Sequence, residues 1–181
     1  WSTAPDPVDF RDYQEVDLYA KKPLSLYTNP DGDRRPLARR NGQVMIWYED
    51  FGHMDDGLGR GGQLKSFEAV FSPLDSQGSP LLMWTRDRGD VIPSTVKYWV
   101  EYDINRLIQR RWDVGLREKL AGKINVFMGT EDTFYLEGAC EFLKQTMESL
   151  GSDAVIELHE GRDHFNLLTQ DLRDRIRKEM S

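Results

Sequence analysis

The chain has 181 residues and a formal net charge of −7, with 39% hydrophobic, 30% charged and 11% aromatic residues. This aromatic content argues against a disordered chain, and without a dominant basic stripe we expect no nucleic-acid partner. The single cysteine excludes an internal disulfide and a cysteine-based zinc site, and no apolar run reaches the roughly 20 residues that span a bilayer. We therefore expect one globular domain over residues 1–181, with no membrane contact.

The first two thirds of the chain are irregular. Turn-forming clusters rich in Gly, Pro, Asn, Asp and Ser occur at residues 28–33, 55–62 and 76–80. Between them, residues 43–48 fit a strand or a buried helical turn, residues 64–71 fit a helix, and residues 95–111 place their apolar side chains on one helical face. Residues 10–121 therefore form a long, irregular excursion that precedes the regular part of the chain.

The chain becomes regular after Gly122. The predicted elements are a buried strand at residues 123–128, a helix at 136–150 with Gly151 at its C-cap, a second strand at 154–159, and a charged amphipathic helix at 164–180. Strand, helix, strand and helix in this order predict a βαβ unit over residues 122–181, with parallel strands and helices on the sheet faces. The fold class is therefore α/β.

Two side chains with catalytic chemistry follow the two strands of this unit. Asp132 comes four residues after the first strand, and His164 comes five residues after the second. Because adjacent parallel strands lie ~4.8 Å apart and end at the same edge of the sheet, their loops bring a carboxylate to an imidazole. We expect Asp132 to fix the tautomer of His164 and to stabilise its protonated ring, as in a catalytic triad.

These motifs resemble a known family. The run GTEDTFYLEGA at residues 129–139, together with EGRDHF at 160–165 and WSTAPDP at 1–7, resembles the α/β-hydrolase esterases related to esterase D and enterochelin esterase. The resemblance covers the first ten and the last sixty residues. It implies the C-terminal part of a parallel α/β-hydrolase sheet, with residues 10–121 as a cap-like excursion between two of its strands. It also implies a triad in the order Ser, Asp, His, a small-molecule ester substrate, and no cofactor or metal.

The chain departs from this family at the nucleophile. The family places its serine in a GxSxG turn, and none of the ten serines has glycine at both flanking positions. If residues 1–7 align as the resemblance implies, the serine and the N-terminal half of the same domain lie upstream of Trp1. We therefore expect the 181-residue chain alone to lack esterase activity and to be poorly stable by itself.

Several alternatives stay open at this point. Glu131 leaves the same loop as Asp132 and is the second candidate for the acid. His159 ends a predicted strand and is interpreted as structural, whereas His53 lies in a glycine-rich loop and is either a surface residue or part of a substrate pocket. The alternative to the esterase hypothesis is that the chain is a non-catalytic carbohydrate- or protein-binding module with a hydrolase-like fold, since fold does not dictate function.

Overall fold

The computed structural model describes residues 1–180, apart from the side chain of Arg60. Across these residues the protein is mixed α/β, with a three-stranded parallel sheet, a two-stranded antiparallel hairpin and seven α-helices. The strands are β1 (Ser2–Thr3), β2 (Pro36–Arg40), β3 (Gln43–Trp47), β4 (Asn125–Gly129) and β5 (Val155–His159). The α-helices are α1 (Tyr48–Gly57), α2 (Gln63–Phe71), α3 (Pro93–Trp99), α4 (Ile104–Arg111), α5 (Leu116–Leu120), α6 (Glu137–Ser149) and α7 (Gln170–Met180).

The parallel sheet has the order β1-β4-β5, with β4 at its centre. Its register pairs Ser2 with Val126 and Gly129 with His159. β4 is the most buried of the three strands, because its apolar run faces a helix on one side and the C-terminal segment on the other. The three strands run in one direction, so β4 and β5 end at the same edge of the sheet.

Helix α6 connects β4 to β5 and covers one face of the sheet. Its buried residues recur at helical spacing, at Ala139, Cys140, Leu143 and Met147, and they pack with Val126, Met128 and Ile156. The helix ends before Gly151, which has a φ of +62° that a side chain would make costly. The sequence predicted this strand–helix–strand unit, and its existence is confirmed.

The excursion between β1 and β4 contains a second hydrophobic core, which we call the cap cluster. Its buried members run from Phe10 to Trp99 and include no residue of the parallel sheet. By contrast, Ile108 on α4 and Trp112 just after it pack with the residues of β4 and α6. The last part of the excursion therefore belongs to the sheet layers, while its first part has its own core.

Two helical predictions need correction. Residues 95–111 do not form one continuous helix, because the chain breaks at Asp103, whose side chain caps α4 by accepting from Arg106 N at 2.8 Å. Consequently Ile104 is exposed and does not share a buried face with Trp99. Residues 164–169 are turns, and α7 begins only at Gln170, where Thr169 Oγ1 accepts from the Leu172 amide. The ambiguous segment at 43–48 is mostly a strand, β3.

Candidate active site

Asp132 lies in the turn that follows β4. Its side chain is completely buried, so both carboxylate oxygens need partners within the protein. Oδ1 accepts a hydrogen bond from the Phe134 amide at 2.8 Å, which forms a local Asx turn, and Oδ2 lies 2.9 Å from His164 Nδ1. The turn therefore orients the acid, leaving one oxygen for the imidazole.

His164 lies in the turn that follows β5, and its ring contacts two aromatic side chains, which also contact each other. The ring centroid is 4.9 Å from that of Phe134 and 5.5 Å from that of Phe165, both in edge-to-face geometry. Because a carboxylate only accepts hydrogen bonds, Nδ1 carries the hydrogen and the neutral ring keeps its lone pair at Nε2. Among residues 1–180, Nε2 has no hydrogen-bond partner, so it is available as a base.

The two loops that carry this pair are joined by their backbones. Thr130 N donates to His159 O and Glu131 N donates to Arg162 O, both at 3.0 Å, and Gly161 N donates to Thr130 Oγ1 at 2.9 Å. These bonds continue the ladder between β4 and β5 beyond the strands. The separation between Asp132 and His164 is thus set by main-chain geometry and not by two flexible side chains.

The electrostatics of the pair favour a protonated imidazole. The hydrogen bond to Asp132 raises the pKa of His164 above its usual value, against the opposing effect of partial burial, and the charges of Asp132, Asp6 and Asp163 also raise it. A base with a raised pKa holds an abstracted proton more strongly. This arrangement suits a group that accepts a proton from a hydroxyl and later returns it to a leaving group.

A cavity of about 240 Å³ lies beside His164. Its walls come mainly from apolar residues of the excursion and of the acid loop (residues 132–137), among them Leu37, Phe51, Leu64, Phe67 and Phe134, with Asp6, Gln14 and Gln63 as polar members. Among the described residues, no serine, threonine or cysteine lines it. A larger cavity of about 450 Å³ lies within the excursion, and its lining includes neither Asp132 nor His164, so it is not part of this site.

The other candidates identified from the sequence lie apart from the pair. Glu131 is exposed and makes no contact with His164, so the acid in the pair is Asp132. His53 is an exposed residue of α1, not of a loop, and its Nε2 lies 3.2 Å from Arg86 O, outside the cavity. His159 ends β5 and packs edge-to-face on Phe127, as expected of a structural residue.

Three contacts of the site were not anticipated from the sequence. Phe165 directly follows His164 in the sequence, so its contact with the imidazole could have been predicted from that adjacency. Phe134 reaches the ring because the Asx turn folds it back, and Arg39 reaches the acid loop from 93 residues away. No sequence pattern signals the Arg39 contact, because it depends on how the hairpin docks.

Comparison with known proteins adds no family to this description. No protein-family model matches the chain, and no curated protein sequence is significantly similar to it. In the described part of the chain, no helix combines the length and apolarity needed to cross a bilayer. Within the same residues, no group of three or more His, Cys, Asp or Glu side chains is placed to hold a metal ion.

Proposed function

We propose that this chain supplies the acid and the general base of a serine carboxylic-ester hydrolase. The observation that carries the proposal is the hydrogen bond between buried Asp132 and His164, with Nε2 left free beside an apolar cavity. An oriented base of this kind, next to a space for substrate, is what activation of a hydroxyl nucleophile requires. The serine itself lies outside residues 1–181 in this proposal.

The finer fold assignment is part of the proposal. The sheet order β1-β4-β5, with the acid after β4 and the histidine after the neighbouring β5, fits the last three strands of an α/β-hydrolase sheet. The long excursion between β1 and β4 then takes the place of a cap over the substrate pocket. In support of this role, most of the described residues that line the cavity belong to the excursion, among them Leu37, Phe51 and Phe67.

In this proposal, the pair carries out the proton transfers of ester hydrolysis. The serine hydroxyl gives its proton to His164 Nε2 as the serine oxygen attacks the ester carbonyl, and Asp132 stabilises the resulting imidazolium. Collapse of the tetrahedral intermediate breaks the bond to the alcohol, which leaves with the proton from Nε2. A water molecule then gives a proton to His164 and attacks the acyl-enzyme, and the serine recovers its proton as the carboxylic acid is released.

The test compares the 181-residue chain with a version extended upstream through a GxSxG turn. We expect the extended protein to hydrolyse a short-chain p-nitrophenyl ester and to react with a fluorophosphonate probe, and His164→Ala to abolish both. The shorter chain should do neither. Labelling of the 181-residue chain, lost in His164→Ala, would show that one of its own serines is the nucleophile. A folded extended protein without turnover would contradict the esterase proposal.

One observation favours a second function. In the described part of the chain, the cavity beside His164 has no serine, threonine or cysteine in its lining, which fits a non-catalytic carbohydrate- or protein-binding module. This function predicts saturable binding of an unmodified sugar or peptide by the 181-residue chain, measured by calorimetry. It also predicts that His164→Ala weakens that binding without any turnover to lose.

A further inference from the structure

Arg39 connects the β2–β3 hairpin to the loop that carries the acid. Its Nε donates to the main-chain carbonyl of Asp132 at 3.1 Å, and its guanidinium forms an ion pair with Glu137, at the start of α6. The same guanidinium lies 4.3 Å from the centre of the Tyr135 ring. One side chain therefore contacts the beginning, the middle and the end of the acid loop, which we define as residues 132–137.

The backbone of the hairpin makes a further contact. Arg39 N donates to Thr133 O at 2.8 Å, and Gln14, also in the excursion, donates from Nε2 to Phe134 O at 3.3 Å. Tyr135, within the loop, has a φ of +58°, a conformation that is costly for a residue with a large side chain. A loop with such a backbone keeps its shape only when its surroundings hold it, and here the excursion does so.

The orientation of the carboxylate depends on this loop shape. Asp132 Oδ1 is bonded to the amide of Phe134, two residues further along the loop, so a shift of the loop also turns the side chain. The partner that would be lost is His164, because Oδ2 faces it at 2.9 Å. The contacts of Arg39 lie on the main chain and on neighbouring side chains, away from the imidazole.

We propose that Arg39 is a positioning residue that keeps Asp132 directed at His164, so that docking of the hairpin sets the strength of the acid–base pair. The proposal rests on the proposed function for its catalytic meaning. Its physical content is narrower: the loop that carries the acid is held from the excursion, and loss of Arg39 weakens the bond between Asp132 and His164. Arg39 touches no reacting atom.

The titration of His164 in the 181-residue chain tests this without any activity. The charged groups that act on the ring are Asp132, Asp6 and Asp163, and Phe134 and Phe165 contact it edge-to-face. Nuclear magnetic resonance of the labelled imidazole gives its titration midpoint in the unsubstituted chain and in Asp132→Asn, Arg39→Ala, Arg39→Lys and Arg40→Ala. Arg40 is the matched control, because it lies on the same strand with its charge over Phe165 and has no contact with the acid loop.

We expect Arg39→Ala to lower the titration midpoint of His164 toward that of Asp132→Asn, and Arg39→Lys to lower it partly, since lysine cannot reach the carbonyl and Glu137 together. Arg40→Ala should leave the midpoint unchanged or raise it, because removal of a positive charge favours protonation. The direction of the change in the midpoint therefore distinguishes the loss of positioning, which lowers it, from the loss of a positive charge, which raises it. If circular dichroism shows that Arg39→Ala does not fold, the His164 midpoint in Arg39→Lys tests the positioning role instead.

The outcomes separate this inference from the function. A midpoint that falls in Asp132→Asn but stays unchanged in folded Arg39 variants overturns the positioning role and leaves the proposed function intact. If the titration midpoint of His164 falls both in Asp132→Asn and in the Arg39 variants, and the extended protein is inactive, the positioning role is supported and the esterase proposal is overturned. An equal fall in Arg39→Ala and Arg40→Ala would show a non-specific effect and would also overturn the inference.

Discussion

Gly129, the last residue of β4, and Arg162, two residues before His164, approach so closely that a methyl group on Gly129 would overlap the Arg162 carbonyl. The obstacle is main chain, which cannot rotate away as a side chain can. This contact holds the end of β4 close to the loop that carries the histidine.

We predict that Gly129→Ala separates the two loops and weakens the Asp132–His164 bond. The titration midpoint of His164 should then move toward the ordinary histidine value, and thermal stability should fall. Gly57→Ala is the control, because nothing lies within 4 Å of an added Cβ there and alanine favours a helix. A Gly129→Ala protein with unchanged titration would show that the loops can adjust, against the prediction.

We predict that the contribution of His164 to stability depends on pH. The hydrogen bond to Asp132 raises the pKa of His164 in the folded state, so the folded protein binds this proton more tightly than the unfolded chain does. The stabilisation is fully present below the unfolded pKa of about 6.5 and is lost as the pH rises through the raised folded value.

Urea denaturation of the unsubstituted chain and of His164→Gln measures this effect. The substitution should cost more stability at about pH 5.5 than at about pH 8.5. A cost that is the same at both values would argue against a protonated imidazole paired with Asp132. In the extended enzyme, the acid limb of kcat/KM should lie above the ordinary histidine pKa and move down in Asp132→Asn.

We predict that Trp99 is a main support of the cap cluster. Its side chain is fully buried, its Nε1 donates to Ser72 Oγ at 2.8 Å, and its ring contacts Phe10, Tyr13 and Phe71. Trp99→Ala should destabilise the protein by about 3–5 kcal/mol in denaturant unfolding. Trp99→Phe should cost clearly less, because it keeps most of the ring packing; equal costs would contradict a packing role.

We predict that Phe67 limits the length of acyl chain that the extended enzyme accepts. The cavity beside His164, at about 240 Å³, is larger than the ~150 Å³ cavity that holds benzene, so it suits a compact group. Phe67→Ala should raise kcat/KM for longer p-nitrophenyl esters relative to the butyrate. Val70→Ala, an exposed change on the same helix, should leave this preference alone. An unchanged chain-length profile in Phe67→Ala would place the acyl group elsewhere.

The sequence predicted the part of the fold that depends on local periodicity. The apolar run before Gly129 and the helical spacing of Ala139, Leu143 and Met147 are repeated patterns, and both elements form within two residues of their predicted ends. The break at Asp103 was missed because the apolar spacing continues through it, while the polar partners that stabilise the break are Tyr19 and the Phe10 amide, far away in the chain.

The candidate site also has one part that could be predicted from the sequence and one part that could not. The proximity of Asp132 and His164 could be predicted, because it follows from two loops that leave neighbouring parallel strands. The sequence favoured Asp132 but left Glu131 open as the acid, since both lie in one turn, and the Asx geometry with Phe134 selects Asp132. The contact of Arg39 depends on docking of the hairpin, which no local pattern encodes.

The separation of the two cores has a consequence for how this protein can change. The walls of the cavity at Leu37, Leu64 and Phe67 belong to or pack on the cap cluster, whereas the strands that fix Asp132 and His164 pack in other clusters. Substitutions in the pocket walls therefore destabilise mainly the cap cluster. Substitutions of the residues around Asp132 and His164 destabilise mainly the clusters that contain β4 and β5. A library confined to the pocket walls should yield new substrate preferences while the acid–base pair stays intact, except where Arg39 transmits the change.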